Sequence, residues 1–357
     1  MRRPAVRRPS RIPSRISLVD VLLWLLGGGI ILFAVVGTVL TLQSTNMALE
    51  DWRNLVIYGV AQGSIYALIA LGYTLVYGVL LMINFAHGDV FMFGALTSFF
   101  VADALAQAGF LNDNPIIGYA IVLAVAAVSG MIVAVLLERI AYRPLRRAPR
   151  LVPLITAIGA SFFISNSVRG LYGEQVKAWP RIEALEGTVD FLGIEILKTQ
   201  VVVIVAAIAM MVFLYWFVER TRTGRAMRAV SENKDTAALM GIDVDRTIVT
   251  TFAIGGLLAG AAGVLYGIAF YQVHWFMGFL PGIKAFTAAV LGGIGNIIGA
   301  MLGGLSLGVL ESLAPTLLLS GFGVPTPNQL KDVVAFTVLV LVLIFRPYGI
   351  LGRPEGK

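Results

Sequence analysis

Long apolar runs constrain the fold of this chain more than any other feature of its sequence. A helix needs ~20 residues to cross a hydrocarbon core of ~30 Å. Six runs are of this order, at residues 18–42, 55–81, 116–137, 151–171, 201–218 and 248–271. Shorter runs lie at residues 90–105 and 333–345. The sequence therefore predicts an all-α polytopic membrane protein with about eight transmembrane helices.

Composition points to the same class. Hydrophobic residues make up 58% of the chain and charged residues 13%, whereas about a quarter of the residues of a soluble domain are charged. The chain has no cysteine and only two histidines, which argues against disulfides, a cysteine-bound zinc and a histidine-rich metal site. We expect neither a metal nor a cofactor in this chain.

The placement of the basic residues predicts the orientation of the helices. Residues 1–17, 138–150, 219–246 and 346–357 contain 20 of the 27 lysines and arginines. Residues 172–200 have three basic residues against five acidic ones. Basic segments stay in the cytoplasm, so both termini are predicted to be cytoplasmic and residues 172–200 external. This pattern accounts for the high pI without nucleic acid as a partner. Residues 1–17 form a basic tail, and residues 18–42 read as an uncleaved anchor helix.

The region from residue 272 to residue 331 must contain an even number of crossings if the last helix returns to the cytoplasm. Its apolar runs, 285–294 and 297–313, are each short for a span and are joined at Gly295 and Asn296. The sequence predicts a broken-helix or re-entrant hairpin beside a pathway, because non-helical backbone at membrane depth needs protein or water around it. Gly292, Gly293, Gly295 and Asn296 are candidate site residues, although glycines in such helices usually serve packing.

The segment MINFAHGDV, residues 82–90, places polar side chains among apolar ones. An ionisable residue in lipid costs ~2.5–3.5 kcal/mol on insertion scales, so such residues usually face a partner or a pathway. We expect Asn84 to cap or satisfy freed backbone groups and Gly88 to supply a turn. Asp89 is expected to cap the next helix and meet its positive end. For His87, a hydrogen-bonded structural role is favoured over a pH-sensitive one.

Two further ionisable residues, Lys284 and Glu311, have apolar surroundings. They could pair with each other, extend toward the membrane interface or contact substrate, and the sequence leaves these choices open.

The long basic segment 219–246 is predicted to contain a short helix. Ser231 is the expected N-cap, residues 232–240 the helix, and Gly241 the left-handed C′ residue. Ala237, Leu239 and Met240 form a small apolar patch that would suit a docking surface. A solvated connector explains the charges equally well.

Three blocks of sequence, residues 72–96, 223–246 and 284–304, closely resemble the LivH-type permease family of branched-chain amino acid ABC importers. The resemblance runs from about residue 55 to residue 354, so the N-terminal tail and helix are additions to the family pattern. It implies an ABC permease domain at residues 55–346, followed by a cytoplasmic tail at residues 347–357, in a protein of the bacterial inner membrane. Relatives that import urea or short amides leave those substrates as an alternative.

The resemblance also implies partners. These are a second permease of the same fold, two cytoplasmic ATPase subunits that bind ATP and magnesium, and an external substrate-binding protein. The chain itself has no Walker A pattern, so it is not expected to be an enzyme. Residues 219–246 would be the loop coupled to the ATPases, with the candidates Gly224, Arg225, Arg228, Glu232, Asn233, Asp235, Ala238 and Gly241. Asn84, His87, Gly88 and Asp89 would form a helix break beside the pathway.

Two other classes of function fit the residues alone. An ion-coupled secondary transporter would use His87, Asp89 and Glu311 to carry protons or bind an ion. A channel would use glycine-lined re-entrant loops and need no energy source. Uptake into vesicles separates these classes from an ABC importer by its dependence on ATP, on a binding protein and on the proton gradient.

Overall fold

The computed structural model describes residues 18–44, 47–146, 148–149, 151–191, 194–346 and 348–352. The predicted basic tail, residues 1–17, lies outside them. The α-helices of the described residues are α1 (Leu18–Ser44), α2 (Leu49–Leu80), α3 (His87–Gln107), α4 (Phe110–Asp113), α5 (Pro115–Leu137), α6 (Leu151–Tyr172), α7 (Lys198–Arg220), α8 (Arg222–Glu232), α9 (Lys234–Leu239), α10 (Val244–Phe270), α11 (Phe279–Gly292), α12 (Ile297–Leu319) and α13 (Lys331–Phe345). Short strands are β1 (Lys177–Ala178), β2 (Thr188–Phe191), β3 (Ile194–Leu197) and β4 (Gln272–Val273).

The described residues contain nine helices that are long and apolar enough to cross a membrane, which confirms the predicted all-α polytopic fold. Helix α12 is one of these nine. The other eight, together with the hairpin of α11 and α12, match the predicted eight helices and hairpin. The prediction that the runs at residues 90–105 and 297–313 are short for a span was wrong. Helix α3 has 21 residues and α12 has 23, so neither is short. Both helices extend beyond their apolar runs: α3 begins with the buried His87, and α12 continues through the buried Thr316.

Helices α2 and α10 lie at the centre of the bundle, and small residues bring other helices close to them. Gly63 of α2 contacts Gly304 and Gly308 of α12, and Gly260 of α10 contacts Ala126 of α5. In lipid, such close approach lets helices associate through van der Waals contact between their backbones. Gly63 and Gly260 therefore lie at helix contacts.

The connections between helices gather at two ends of the bundle. At one end, Arg143 bonds Asp245 at 2.9 Å, and Lys234 lies near the end of α2; we name this the basic end. At the opposite end, β1 pairs with β4 and β2 pairs with β3, all antiparallel. Strands β1, β2 and β3 belong to residues 172–200, where acidic side chains outnumber basic ones. That the basic end faces the cytoplasm stays a prediction from the positive-inside rule.

Helix α1 packs on the bundle instead of standing apart from it. Its Gly37 lies against the Leu318 carbonyl at the end of α12. The backbone N–H of Gly321, in the turn that follows, donates to Thr41 Oγ1 at 2.8 Å. Phe33 stacks on Phe322 with ring centroids 5.2 Å apart. These contacts attach the N-terminal addition to the turn between α12 and α13.

Replacing Gly37 with leucine should displace α1, because a Cβ at this position would overlap the Leu318 carbonyl oxygen. Overpacking of this kind costs about 1–3 kcal/mol. Thermal unfolding of the purified protein should therefore begin at a lower temperature. Gly28→Leu is the control on the same helix, since nothing lies within 4 Å of its Cβ position. Equal melting temperatures for the two variants would contradict the contact.

Candidate functional site

Two breaks in the helices meet inside the bundle. The first follows α2, where Leu81 adopts a left-handed conformation with φ 58°, and it ends where α3 begins. The second follows α10, where Tyr271 does the same with φ 55°, and it ends where α11 begins. Gly88, in the first turn of α3, contacts the backbone of Gly278 and Gly282. The N-termini of α3 and α11 therefore lie side by side.

A cavity of about 240 Å³ lies beside these two N-termini. Its lining residues come from α2, α3, α6, α11 and the two breaks: Tyr73, Phe85, Asp89, Ile158, Ser161, Phe162, Ser165, Phe276, Gly278, Phe279, Gly282 and Ile283. Most of these are aromatic or aliphatic, and Asp89 is the one ionisable carboxyl among them. Apolar walls with a few polar groups are typical of small-molecule sites.

Asp89 is buried, and hydroxyl groups of α6 hold its carboxyl group. Ser165 Oγ donates to Asp89 Oδ1 at 2.6 Å, and Ser161 lies one helical turn earlier on the same face. Asp89 also sits in the first turn of α3, where the helix dipole favours a negative charge. The structure gives this carboxyl no cationic side chain as a partner among the described ion pairs.

The other residues of the first break have local roles that differ from those expected. Asn84 does not satisfy backbone groups with its side chain; its Oδ1 accepts a hydrogen bond from the Tyr142 hydroxyl at 2.9 Å. Leu81, and not Gly88, makes the turn. Asp89 is not the N-cap of α3, which is Ala86.

His87 is buried away from the cavity lining. Its ring packs edge-on against Tyr73, with centroids 4.9 Å apart, and it lies against Gly72. A side chain at Gly72 would occupy the space of this ring. The packing supports a structural histidine, as favoured from the sequence.

Gly292, Gly293, Gly295 and Asn296 lie at the basic end and not at the cavity. Gly293 and Gly295 have positive φ, 106° and 93°. Asn296 caps α12 by accepting from Gly299 N at 3.1 Å, and its Nδ2 donates to Leu351 O at 3.0 Å. This joint therefore anchors residues 348–352. The break that meets Gly88 is the earlier one, at residues 271–278. The only signals for it in the sequence are Gly278 at its end and Pro281 and Gly282 just after it.

Lys284 and Glu311 form a buried ion pair, and Lys284 also bonds Asp332. These residues belong to α11, α12 and α13, so the lysine ties the short helix to its two neighbours. Of the choices that the sequence left open, the structure therefore shows that the two residues pair with each other.

The segment 219–246 contains two helices instead of the single predicted one. Thr221 caps α8 by accepting from Gly224 N at 3.0 Å, and Asn233 caps α9 by accepting from Thr236 N at 2.9 Å. Ser231 was the wrong N-cap; it lies inside α8, and its hydroxyl donates to Arg228 O. The extended backbone of Asn233 interrupts the helix and presents a side chain suited to capping.

Gly241 ends α9 in the left-handed conformation predicted for it, with φ 83°. The hydrogen bonds from Gly241 N to Ala238 O and from Ile242 N to Ala237 O complete a Schellman motif. Ala237 is buried, whereas Leu239 is 88% and Met240 78% exposed. Of the other candidates, Gly224 is buried, and the exposed ones are Arg225, Arg228, Glu232, Asn233, Asp235 and Ala238.

A hydrophobic cluster, which we name the basic-end cluster, joins α8 and α9 to the first helix break. It contains Val79 and Leu80 of α2, Tyr142, Ala157, Val230, Ala237, Ile248 and Phe252, and Met82 and Phe85 of the break pack against it. Lys234 Nζ donates to Leu80 O at 3.4 Å, and burial together with nearby Arg146 lowers the pKa of this lysine. Phe85 also lines the cavity. Continuous packing therefore connects the two short helices with the site.

Broken helices whose N-termini meet at a buried cavity are typical of membrane transport proteins. A family model described as "Branched-chain amino acid transport system / permease component" matches residues 55–343, and the chain belongs to this family. It is a permease component and a multi-pass protein of the bacterial inner membrane, as the sequence predicted.

Curated relatives agree with this assignment. The chain is 46% identical over 305 residues to the "High-affinity branched-chain amino acid transport system permease protein BraD" of Pseudomonas aeruginosa, covering 84% of this chain and 95% of the relative. It is 43% identical over 302 residues to the permease protein LivH of Escherichia coli, covering 83% of this chain and 94% of that one. A solved structure of PsaBC from Streptococcus pneumoniae covers 88% of this chain and 97% of its own at 12% identity, but a TM-score of 0.42 is too low to define the fold.

Gly88→Ala should push the N-termini of α3 and α11 apart, because a Cβ at this position would overlap the Gly278 carbonyl oxygen. We expect a loss of about 1–3 kcal/mol of stability, measured as a lower temperature of thermal unfolding. Gly78→Ala is the control in α2; it has nothing within 4 Å and should be neutral or stabilising by about 0.5–1 kcal/mol. Unchanged unfolding of Gly88→Ala would show that the two termini can separate freely.

Proposed function

We propose that this chain forms half of the translocation pathway of an ABC importer for branched-chain amino acids, with the cavity at Asp89 as a point of passage. The observation that carries the proposal is the meeting of two helix N-termini with one carboxylate at an apolar cavity. The substrate class comes from the similarity to the branched-chain amino acid permease proteins BraD and LivH.

The cavity has complementary groups for each part of such a substrate. The Asp89 carboxylate suits an ammonium group, and the positive ends of the α3 and α11 helix dipoles suit a carboxylate. Ile158, Phe162 and Ile283 provide apolar walls for a branched side chain. Urea and short amides lack both the charged groups and the branched apolar side chain that the cavity complements, so the cavity favours an amino acid.

The chain would work with a second permease of the same fold, two cytoplasmic ATPase subunits that bind ATP and magnesium, and an external binding protein. Leu239 and Met240 support the ATPase contact, because they are large apolar side chains exposed outside the membrane-spanning helices. Exposed apolar groups of this kind commonly mark a protein interface. We assign the docking surface to α9 and the adjoining exposed residues of α8.

The energy of ATP binding would reach the cavity through the basic-end cluster. Movement of α9 would shift the end of α2 through Lys234 and Leu80, and the first break would move with it. The hydrogen bond between Asn84 and Tyr142 ties that break to the turn after α5. Alternating access then follows from rocking of the two permeases about their shared pathway.

Vesicle uptake tests the proposed function. Vesicles that contain this chain with its second permease and ATPase subunits should accumulate a labelled branched-chain amino acid only when ATP and the binding protein are supplied. Asp89→Asn should lower uptake about 10- to 100-fold, since a hydrogen bond to a charged group contributes about 1.5–3 kcal/mol.

Asp103→Asn is the matched control, because Asp103 lies on the same helix but outside the cavity and bonds Gln107. Its uptake should stay normal. Accumulation by this chain alone, or accumulation that disappears when the proton gradient is collapsed, would replace the ABC importer with a secondary transporter. Full activity of Asp89→Asn would remove the cavity from the pathway.

The double variant Leu239→Asp with Met240→Asp should abolish co-purification of the ATPase subunits and stimulation of ATP hydrolysis by the loaded binding protein. Burial of one such side chain contributes about 1.5–3 kcal/mol, so the affinity should fall at least tenfold. Val176→Asp is the control at the opposite end, where the native side chain is 61% exposed. Retained co-purification of the double variant would place the docking surface elsewhere.

A further inference from the structure

A groove of about 330 Å³ separates α5 from α6 on the outside of the bundle. Phe93 of α3 forms part of its lining, and its walls include Leu136 and Ile140 on one side and Phe163 and Leu171 on the other. Apart from Ser167, every lining side chain is apolar. Ile140, Phe163 and Leu171 are 73%, 73% and 74% exposed. The groove is thus an open apolar channel on the outer surface of the bundle.

Arg139 provides the positive charge at the end of the groove nearest the basic end, because the nearby Arg143 and Arg146 are paired with Asp245 and Glu138. Arg139 lies between two lining residues, Leu137 and Ile140, in sequence, and its side chain is exposed. Among the described residues, Arg139 has no ion-pair partner.

We propose that this groove binds one anionic glycerophospholipid, with an acyl chain along the groove and the phosphate at Arg139. The apolar lining by itself would accept any acyl chain. The unpaired guanidinium adds selection for a negatively charged headgroup, because arginine forms strong, directional hydrogen bonds to phosphate oxygens. Basic residues near the membrane surface attract anionic lipid by about fivefold each, which corresponds to ~1 kcal/mol.

The position of the groove connects lipid binding with the cavity. Helix α6 carries Phe163 and Ile164 toward the groove, and Ser161 and Ser165 toward Asp89. Only 22% of its spanning window is buried, so few protein contacts fix this helix. A lipid in the groove would pack against one face of α6 and hold the serines on its other face in place. The lipid site does not depend on which substrate the proposed importer carries.

Brominated lipids test the site in the assembled transporter. The chain has no cysteine, so Phe163→Cys can carry a single fluorescent label in this subunit, in a complex whose other subunits have been made free of cysteine. Phe213→Cys, on the exposed face of α7, gives a matched lipid-facing position outside the groove. The measurement is quenching of each label in vesicles that contain brominated phosphatidylglycerol or brominated phosphatidylcholine at the same mole fraction.

At position 163, phosphatidylglycerol should quench more strongly than phosphatidylcholine at low mole fraction, and Arg139→Gln should reduce this preference about fivefold. Arg222→Gln, which removes another exposed arginine at the basic end, should leave the preference intact. At position 213 the two lipids should quench equally. Equal quenching at position 163 would overturn the proposal. So would the absence of quenching there in the assembled transporter, because a protein partner would then cover the groove. Neither result bears on ATP-dependent uptake, which is measured separately.

Discussion

Backbone polar groups in a bilayer core must be hydrogen-bonded within the protein, and the two helix breaks are where this requirement is hardest to meet. The first break meets it locally: Leu81 N donates to Tyr77 O at 2.7 Å, and His87 N donates to Asn84 O at 3.1 Å. At the second, Tyr271 N donates to Gly267 O at 2.8 Å, and Tyr271 O accepts from Trp179 N at 2.9 Å. The breaks are therefore closed turns that place two helix N-termini inside the bundle.

The buried charges divide into two kinds with different consequences. Lys284 is neutralised by Glu311 and Asp332, and removal of one member of such a group would leave an uncompensated buried charge. This group fixes α11 in place. Asp89 is instead held by hydroxyl groups and a helix N-terminus, which stabilise a carboxylate without cancelling its charge. The same fold thus keeps one set of charges for structure and leaves one carboxylate able to attract a cationic group.

Helix α6 is the element that several parts of the molecule share. Its Ala157 belongs to the basic-end cluster, its Ser165 bonds Asp89 and its Phe163 lines the groove. Because α6 buries little of its own surface, its position depends on what packs against each face. A change at α8 and α9 or in the surrounding lipid would therefore reach the cavity through the same helix.

Short-range patterns in the sequence were sufficient for much of the fold. Apolar length predicted the spans, and the glycine after a helical run predicted the left-handed Gly241. Both depend on neighbouring residues only, as does the polar segment at residues 82–90, which predicted the first break. The serine at position 231 misled the capping prediction because Asn233, two residues later, offered the backbone a better cap.

The sequence by itself determined the class of protein, the number of its spans and the family to which it belongs, because hydropathy and motif spacing are properties of continuous segments. Only the tertiary structure decided that the break at residues 271–278, and not Gly292 to Asn296, meets Gly88. It alone gave Lys284 its partners and placed Ser165 on Asp89, 76 residues away. These pairings depend on how distant helices cross, and the crossings are set by small residues whose partners no local pattern identifies.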